Sequence, residues 1–107
     1  IEKCTLKDHG GFGVLSTHSS SVFIKSCSIE ECQMSGIKCS GGSFNTVSDS
    51  IISKNMRSGI EIWANAGGSF TGNLVHDNEN WGIMCRGQSN PRFGRTSIIR
   101  NKMGGMM

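Results

Sequence analysis

Five glycines, Gly13, Gly36, Gly59, Gly82 and Gly105, stand at a constant step of 23 residues with no insertion between them. An apolar residue follows each one: Val14, Ile37, Ile60, Ile83 and Met106. The same step links Ile24, Val47, Phe70 and Phe93, then Leu6, Ile29, Ile52, Val75 and Ile98, and in a polar column His9, Cys32, Asn55, Asn78 and Asn101. So many columns held in one register mark an internal repeat, and a repeat of this length restricts the chain to a stacked architecture.

Within each unit, single apolar residues alternate with polar ones, as in GIKC and GIEI. That is the period of a strand with one face buried, and no stretch sustains helical spacing. A unit of about three short strands, joined at Gly/Ser/Asn corners, cannot bury an apolar face by itself. Stacked coils can, because parallel strands spaced at about 4.8 Å set like residues directly above like residues. The columns Ile37, Ile60, Ile83, then Val47, Phe70, Phe93, then Ile52, Val75, Ile98 become the expected core. Glycine at each coil start implies a corner that needs positive φ or a close backbone approach. Asn55, Asn78 and Asn101 are expected at another corner in the left-handed conformation, with amides bonded along a ladder that Cys32 and His9 interrupt. The expected fold class is all-β, a single-stranded parallel solenoid of about four to five 23-residue coils over residues 1–107, cut from a longer solenoid.

The recurring pattern Asn-x-x-x-Gly-Ile-x-Ile, seen in NMRSGIEI from Asn55 and nearly repeated in NENWGIMC from Asn78, has a second Asn-type position five residues earlier, as in GNLVHDNENWGI. With it, nearly the whole chain resembles the right-handed parallel β-helix repeat of the pectate-lyase-like superfamily. That scaffold carries polysaccharide lyases, hydrolases and epimerases, phage tailspikes, and also non-catalytic interaction modules. The short, regular, Cys-containing coils look most like the β-helix regions of F-box ubiquitin-ligase receptors and related eukaryotic scaffold proteins.

Composition narrows the function classes. Apolar residues make up 36% of the chain, and the longest apolar run is far shorter than a membrane span. The start IEKCTLKDHGG has none of the regions of a signal peptide. Five Cys without paired CxxC hooks argue against a zinc site and for reduced thiols in the cytoplasm or nucleus. Cys4 and Cys27 neighbour each other in one column, while Ile62 separates Cys39 from Cys85. Basic residues gather late: residues 1–53 hold four Lys/Arg against five Asp/Glu, and 54–107 hold seven against three. Nucleic-acid binding is disfavoured, because no dense basic patch with interleaved aromatics and no known module occurs.

A carbohydrate-active β-helix needs carboxylates converging on one groove, as acid/base groups or calcium ligands. The column Asp8, Glu31, Lys54, Asp77, Arg100 mostly alternates in sign and reads as a solvated charge ladder. Its like-charged pair, Asp8 and Glu31, is the one weak metal candidate. Glu61 shares its column with Lys38 and Met84 and is expected to form a surface pair with Lys38. His76 and Asp77 are sequence neighbours, so on a strand they would point to opposite faces and form no relay. No catalytic residue is assigned and no cofactor is expected.

What remains is an outward set suited to binding. Trp63 directly follows GIEI and stacks in its column with Arg86, a candidate cation–π pair. Arg57 and Glu61 are outward neighbours, and Trp81 shares a column with Phe12, Ser35 and Ser58. The expected function is a non-catalytic protein-recognition or scaffolding module using Trp63, Arg86, Glu61, Arg57 and Trp81, with substrate binding in a ubiquitin-ligase receptor as its suggested setting. The alternative is a polysaccharide lyase or other carbohydrate-active β-helix enzyme. A protein partner is favoured, carbohydrate is second, and no membrane association is expected.

Overall fold

A computed structural model describes residues 1–8 and 10–107. Its strands form three parallel sheets. The first contains β1 (Thr5–Leu6), β4 (Ser28–Glu30), β7 (Ile51–Ser53), β10 (Leu74–His76) and β13 (Ser97–Ile99). The second contains β2 (Val14–Ser16), β5 (Ile37–Cys39), β8 (Ile60–Ile62), β11 (Trp81–Cys85) and β14 (Gly104–Met106), and the third β3 (Ser21–Lys25), β6 (Phe44–Ser48), β9 (Gly67–Thr71) and β12 (Asn90–Gly94). The chain visits the sheets in turn and returns to each one coil later. Every register follows the sequence step: Ile37 pairs with Ile60, Ile60 with Ile83, Val47 with Phe70, and Ile52 with Val75. No helix occurs among the described residues.

The columns read from the sequence line the interior. Ile24, Ile29, Val47, Ile52, Ile60, Ile62, Phe70, Val75 and Ile83 are fully inaccessible, and Phe93 and Ile98 pack against them from the last coil. Phe70 and Phe93 stack with ring centroids 5.3 Å apart, so the aromatic part of the third-sheet column is continuous across two coils. Cys39 belongs to the same core, and burial pushes its thiol up to about 12. Burial also raises Cys32 and Cys85, consistent with thiols that act as small apolar side chains. All five cysteines are unpaired; Cys4 and Cys27 turn their sulfurs to the carbonyls of Glu2 and Lys25.

The corners separate close approach from positive φ. Glycine at the coil start answers close approach, not positive φ: a Cβ on Gly59 would lie 2.5 Å from Val75 Cγ1 and 2.8 Å from the Gly82 carbonyl oxygen of the next coil. The asparagines form the expected ladder without being left-handed. The residue before each asparagine takes that conformation instead, Lys54 (φ 56°), Asp77 (55°) and Arg100 (50°), as does Glu31 (56°) before Cys32 in the same column. This turn aims Asn55, Asn78 and Asn101 inward, where Asn55 Nδ2 donates to Asn78 Oδ1 and Asn78 Nδ2 to Asn101 Oδ1, both at 2.9 Å. The backbone N–H groups of Cys32, Asn55 and Asn78 donate to the amide oxygen one coil on. A left-handed non-glycine residue costs about 1 kcal/mol, and these buried bonds offset it. Cys32 ends the ladder on one side; His9, expected one coil earlier, lies outside the described residues.

The same kink corrects the expectation for His76 and Asp77. β10 ends at His76, and the left-handed Asp77 swings its carboxylate back beside the ring, with His76 Nδ1 2.5 Å from Asp77 Oδ2. Strand alternation does not apply across that bond.

Candidate functional site

The second sheet turns the column Leu15, Lys38, Glu61, Met84 outward, because Ile60 and Ile62 on either side of Glu61 face the core. Trp63 points the same way as Glu61, two residues on. Its backbone continues the ladder, with the Trp63 N–H donating to the Cys39 carbonyl and the Arg86 N–H to the Ile62 carbonyl, each at 2.8 Å. Left-handed Ala64 and Asn65 then turn the chain, and the Ala66 N–H closes back on the Trp63 carbonyl at 3.0 Å. The indole is therefore carried on a fixed backbone at the rim of the sheet.

Around it the side chains order themselves by charge. Arg86 from the next coil places its guanidinium carbon 5.3 Å from the Trp63 ring centroid, and Lys38 from the preceding coil places its ammonium at 5.2 Å. Lys38 also lies 5.4 Å from the Phe12 ring. The expected Lys38–Glu61 surface pair is absent: Lys38 takes the aromatic faces, and Glu61 is only 6% exposed. A carboxylate this buried needs donors. Trp63 Nε1 donates to Glu61 Oε1 at 3.1 Å, and the Ser35 hydroxyl donates to Oε2.

Arg57, Ser58, Glu61, Trp63, Asn80, Met84 and Arg86 together line a groove of about 260 Å³. Four of the five residues singled out from the sequence, Arg57, Glu61, Trp63 and Arg86, thus meet in one place. Trp81 does not line this groove; its ring covers Gly104 in the following coil, where a Cβ would come within 2.6 Å of Trp81 Cζ3. Ser58, Asn80 and Met84 were not singled out. Ser58 was visible only as a column mate of Trp81, and its placement is informative: it is 1% exposed, and its hydroxyl has no hydrogen-bond partner.

The acids elsewhere are engaged separately. Asp8 accepts from the Gly10 N–H, and Glu31 pairs with Lys7 at 3.3 Å, so the two carboxylates of that weak metal candidate face different partners. No group of three His, Cys, Asp or Glu side chains converges among the described residues. A larger groove of about 470 Å³ follows the charge ladder past Lys54, Asp77, Glu79, Arg100 and Lys102, but Asp77 pairs with Arg100 at 3.1 Å and Glu79 with Lys102 at 3.8 Å. Arg100, and after it His76, hold the Asp77 carboxyl down at about 2. A carboxyl lowered in the folded state contributes stability that is complete above its ordinary value and lost as pH falls through about 2. The side-chain carbon signal of Asp77 is expected to titrate there, and Arg100→Gln to move it up toward the ordinary range; a midpoint near the ordinary value in the parent protein overturns the pairing.

Residues 1–106 match the family described as the right handed beta helix region. The chain belongs to the right-handed β-helix family. Comparison with curated proteins and with solved structures returns no match. In this β-helix the second sheet carries the groove at Trp63, where aromatic, cationic and buried anionic groups converge. No helix is long and apolar enough to cross a membrane among the described residues.

Proposed function

We propose that this β-helix is a non-catalytic recognition module that receives a segment of a protein partner along the outer face of its second sheet, centred on Trp63. The observation that carries this reading is the convergence of Arg57, Glu61, Trp63 and Arg86 on one groove whose wall is already ordered by the Ser35–Glu61–Trp63 bonds. Trp and Arg are the residue types most often found to dominate interface energies, and a pre-ordered wall lowers the entropy lost on binding. The unpaired thiols suit a cytoplasmic or nuclear setting. Capture of substrates for a ubiquitin ligase is the finer form of this proposal and rests on the likeness of the short, thiol-bearing coils. The polysaccharide-acting alternative draws no support from the carboxylates, whose observed partners lie at separate places on the solenoid.

Selection of a random-peptide display library on the protein tests the recognition reading. A peptide motif is expected to be enriched, and Trp63→Ala to lose it by about tenfold or more in affinity, as for an interface hot spot. Phe23→Ala, an exposed change on the third sheet, is expected to retain it. Absence of any enriched motif, or a motif indifferent to Trp63, overturns the proposal. If the ubiquitin-ligase form holds, Trp63→Ala lengthens the cellular half-life of a protein carrying the selected motif; an unchanged half-life removes that form alone.

A further inference from the structure

The repeat contains its own template for what the groove binds. Ser35 and Ser58 occupy equivalent positions in successive coils, and so do Glu61 and Met84, which pair in register. The Ser35 hydroxyl donates to Glu61, 26 residues later. The equivalent acceptor for Ser58 is residue 84, and that residue is Met84, whose thioether is a weak acceptor. The Ser58 hydroxyl is consequently buried without a partner, and Ser58 and Met84 both line the groove. A hydroxyl withdrawn from water and left unbonded is costly to the fold, and the residue that carries it belongs to the groove lining.

We propose that the groove binds one carboxylate of an acidic side chain on the partner segment, which takes the place of the glutamate missing at position 84. The inference rests on the recognition reading above and specifies its chemistry. With the flexible Met84 side chain turned aside, the Ser58 hydroxyl donates a hydrogen bond to one carboxylate oxygen, as Ser35 does to Glu61. Arg57 and Arg86, both exposed on the rim, supply the countercharge and planar donor forks that suit a carboxylate. The lining carries two cations against the single Glu61 carboxylate, an excess of one positive charge that complements a monoanion. A phosphoryl group would bring nearly two negative charges close to Glu61 and fits less well.

Four capped pentapeptides, Ser-Val-X-Val-Ser with X as Glu, Gln, phosphoserine or Lys, are titrated against the full chain in a Trp81→Phe background, with Trp63 fluorescence as the readout. The Glu peptide is expected to bind about tenfold more tightly than the Gln peptide, the range for a hydrogen bond to a charged group, and to weaken as salt is raised. Ser58→Ala is expected to erase most of the Glu-over-Gln preference while raising the thermal midpoint by about 4 °C, since it removes an unbonded buried hydroxyl. Met84→Glu supplies the missing acceptor within the chain and is expected to abolish binding of the Glu peptide; circular dichroism confirms that each variant retains its strands. Should Met84→Glu not fold, Arg86→Gln at the exposed rim is expected to lower Glu-peptide affinity severalfold. Equal binding of Glu and Gln peptides, tighter binding of the phosphoserine or Lys peptide, or full binding by Met84→Glu overturns the inference. A displayed motif that depends on Trp63 but has no acidic residue overturns this inference and leaves the recognition reading standing, whereas absence of any motif removes both.

Discussion

Ile60→Asp leaves the chain unfolded or aggregated at room temperature. Ile60 is fully inaccessible and lies between Ile37 and Ile83 in a column whose members are one strand spacing apart. Removing the side chain alone forfeits about 2–5 kcal/mol of burial and packing, and an unpaired carboxylate in its place adds several kcal/mol more. Domains of this size have about 5–15 kcal/mol in total. The adjacent residue shows why the location of the charge decides the outcome. Glu61 is also a buried carboxylate, but it faces outward and finds Ser35 and Trp63 as donors, whereas Ile60 belongs to the hydrophobic core cluster. Met56→Asp, at a side chain 56% exposed, is the matched control and is expected to be neutral within about 0.5 kcal/mol. Circular dichroism and sedimentation distinguish the two variants; a folded, soluble Ile60→Asp protein would falsify the core register.

The register was legible because the repeat carries no insertions: one glycine column suffices to align every other column, and each strand pairing then follows at a step of 23 residues. Corner conformation was less legible. The left-handed positions beside the ladder are occupied by Glu31, Lys54, Asp77 and Arg100, of which only Asp77 is a residue type enriched in such a backbone. Asn55, Asn78 and Asn101, which commonly would, are spent on the ladder one residue later. The His76–Asp77 contact was hidden for the same reason: the strand ends at His76, and alternation of faces does not extend to the left-handed Asp77.

The groove was partly legible. Column neighbours predicted the Trp63–Arg86 stack, because outward residues in successive coils lie within side-chain reach. They misassigned Lys38, which has both Glu61 and Trp63 within one coil and takes the ring. Opposite charge is a weak criterion at a surface where aromatic faces compete for the same ammonium. Ser58 was the residue least visible in advance. Its significance lies in a missing partner, and a missing partner shows only when Ser35–Glu61 is seen bonded and Ser58–Met84 is not.

The asparagine ladder is the other place where one substitution has a large effect, and Asn78→Ala is expected to lower stability by about 4 kcal/mol. Asn78 is central: its oxygen accepts from both the backbone N–H and the side-chain Nδ2 of Asn55, and its own Nδ2 donates to Asn101 and to the Ile52 carbonyl. Truncation leaves two donors of Asn55 buried without acceptors, each costing about 1–3 kcal/mol. The left-handed backbone at Lys54, which the ladder helped to hold, then loses its compensation. Asn55→Ala is expected to cost less, since Asn78 keeps its bonds to Asn101. The double variant is expected to fall short of the sum of the two singles, because the Asn55 side-chain donor orphaned by the first change is removed by the second. Urea midpoints measured against Asn90→Ala, an exposed strand residue outside the ladder, provide the scale. A loss for Asn78→Ala no greater than that of Asn90→Ala means that the coils are held together by their apolar columns alone.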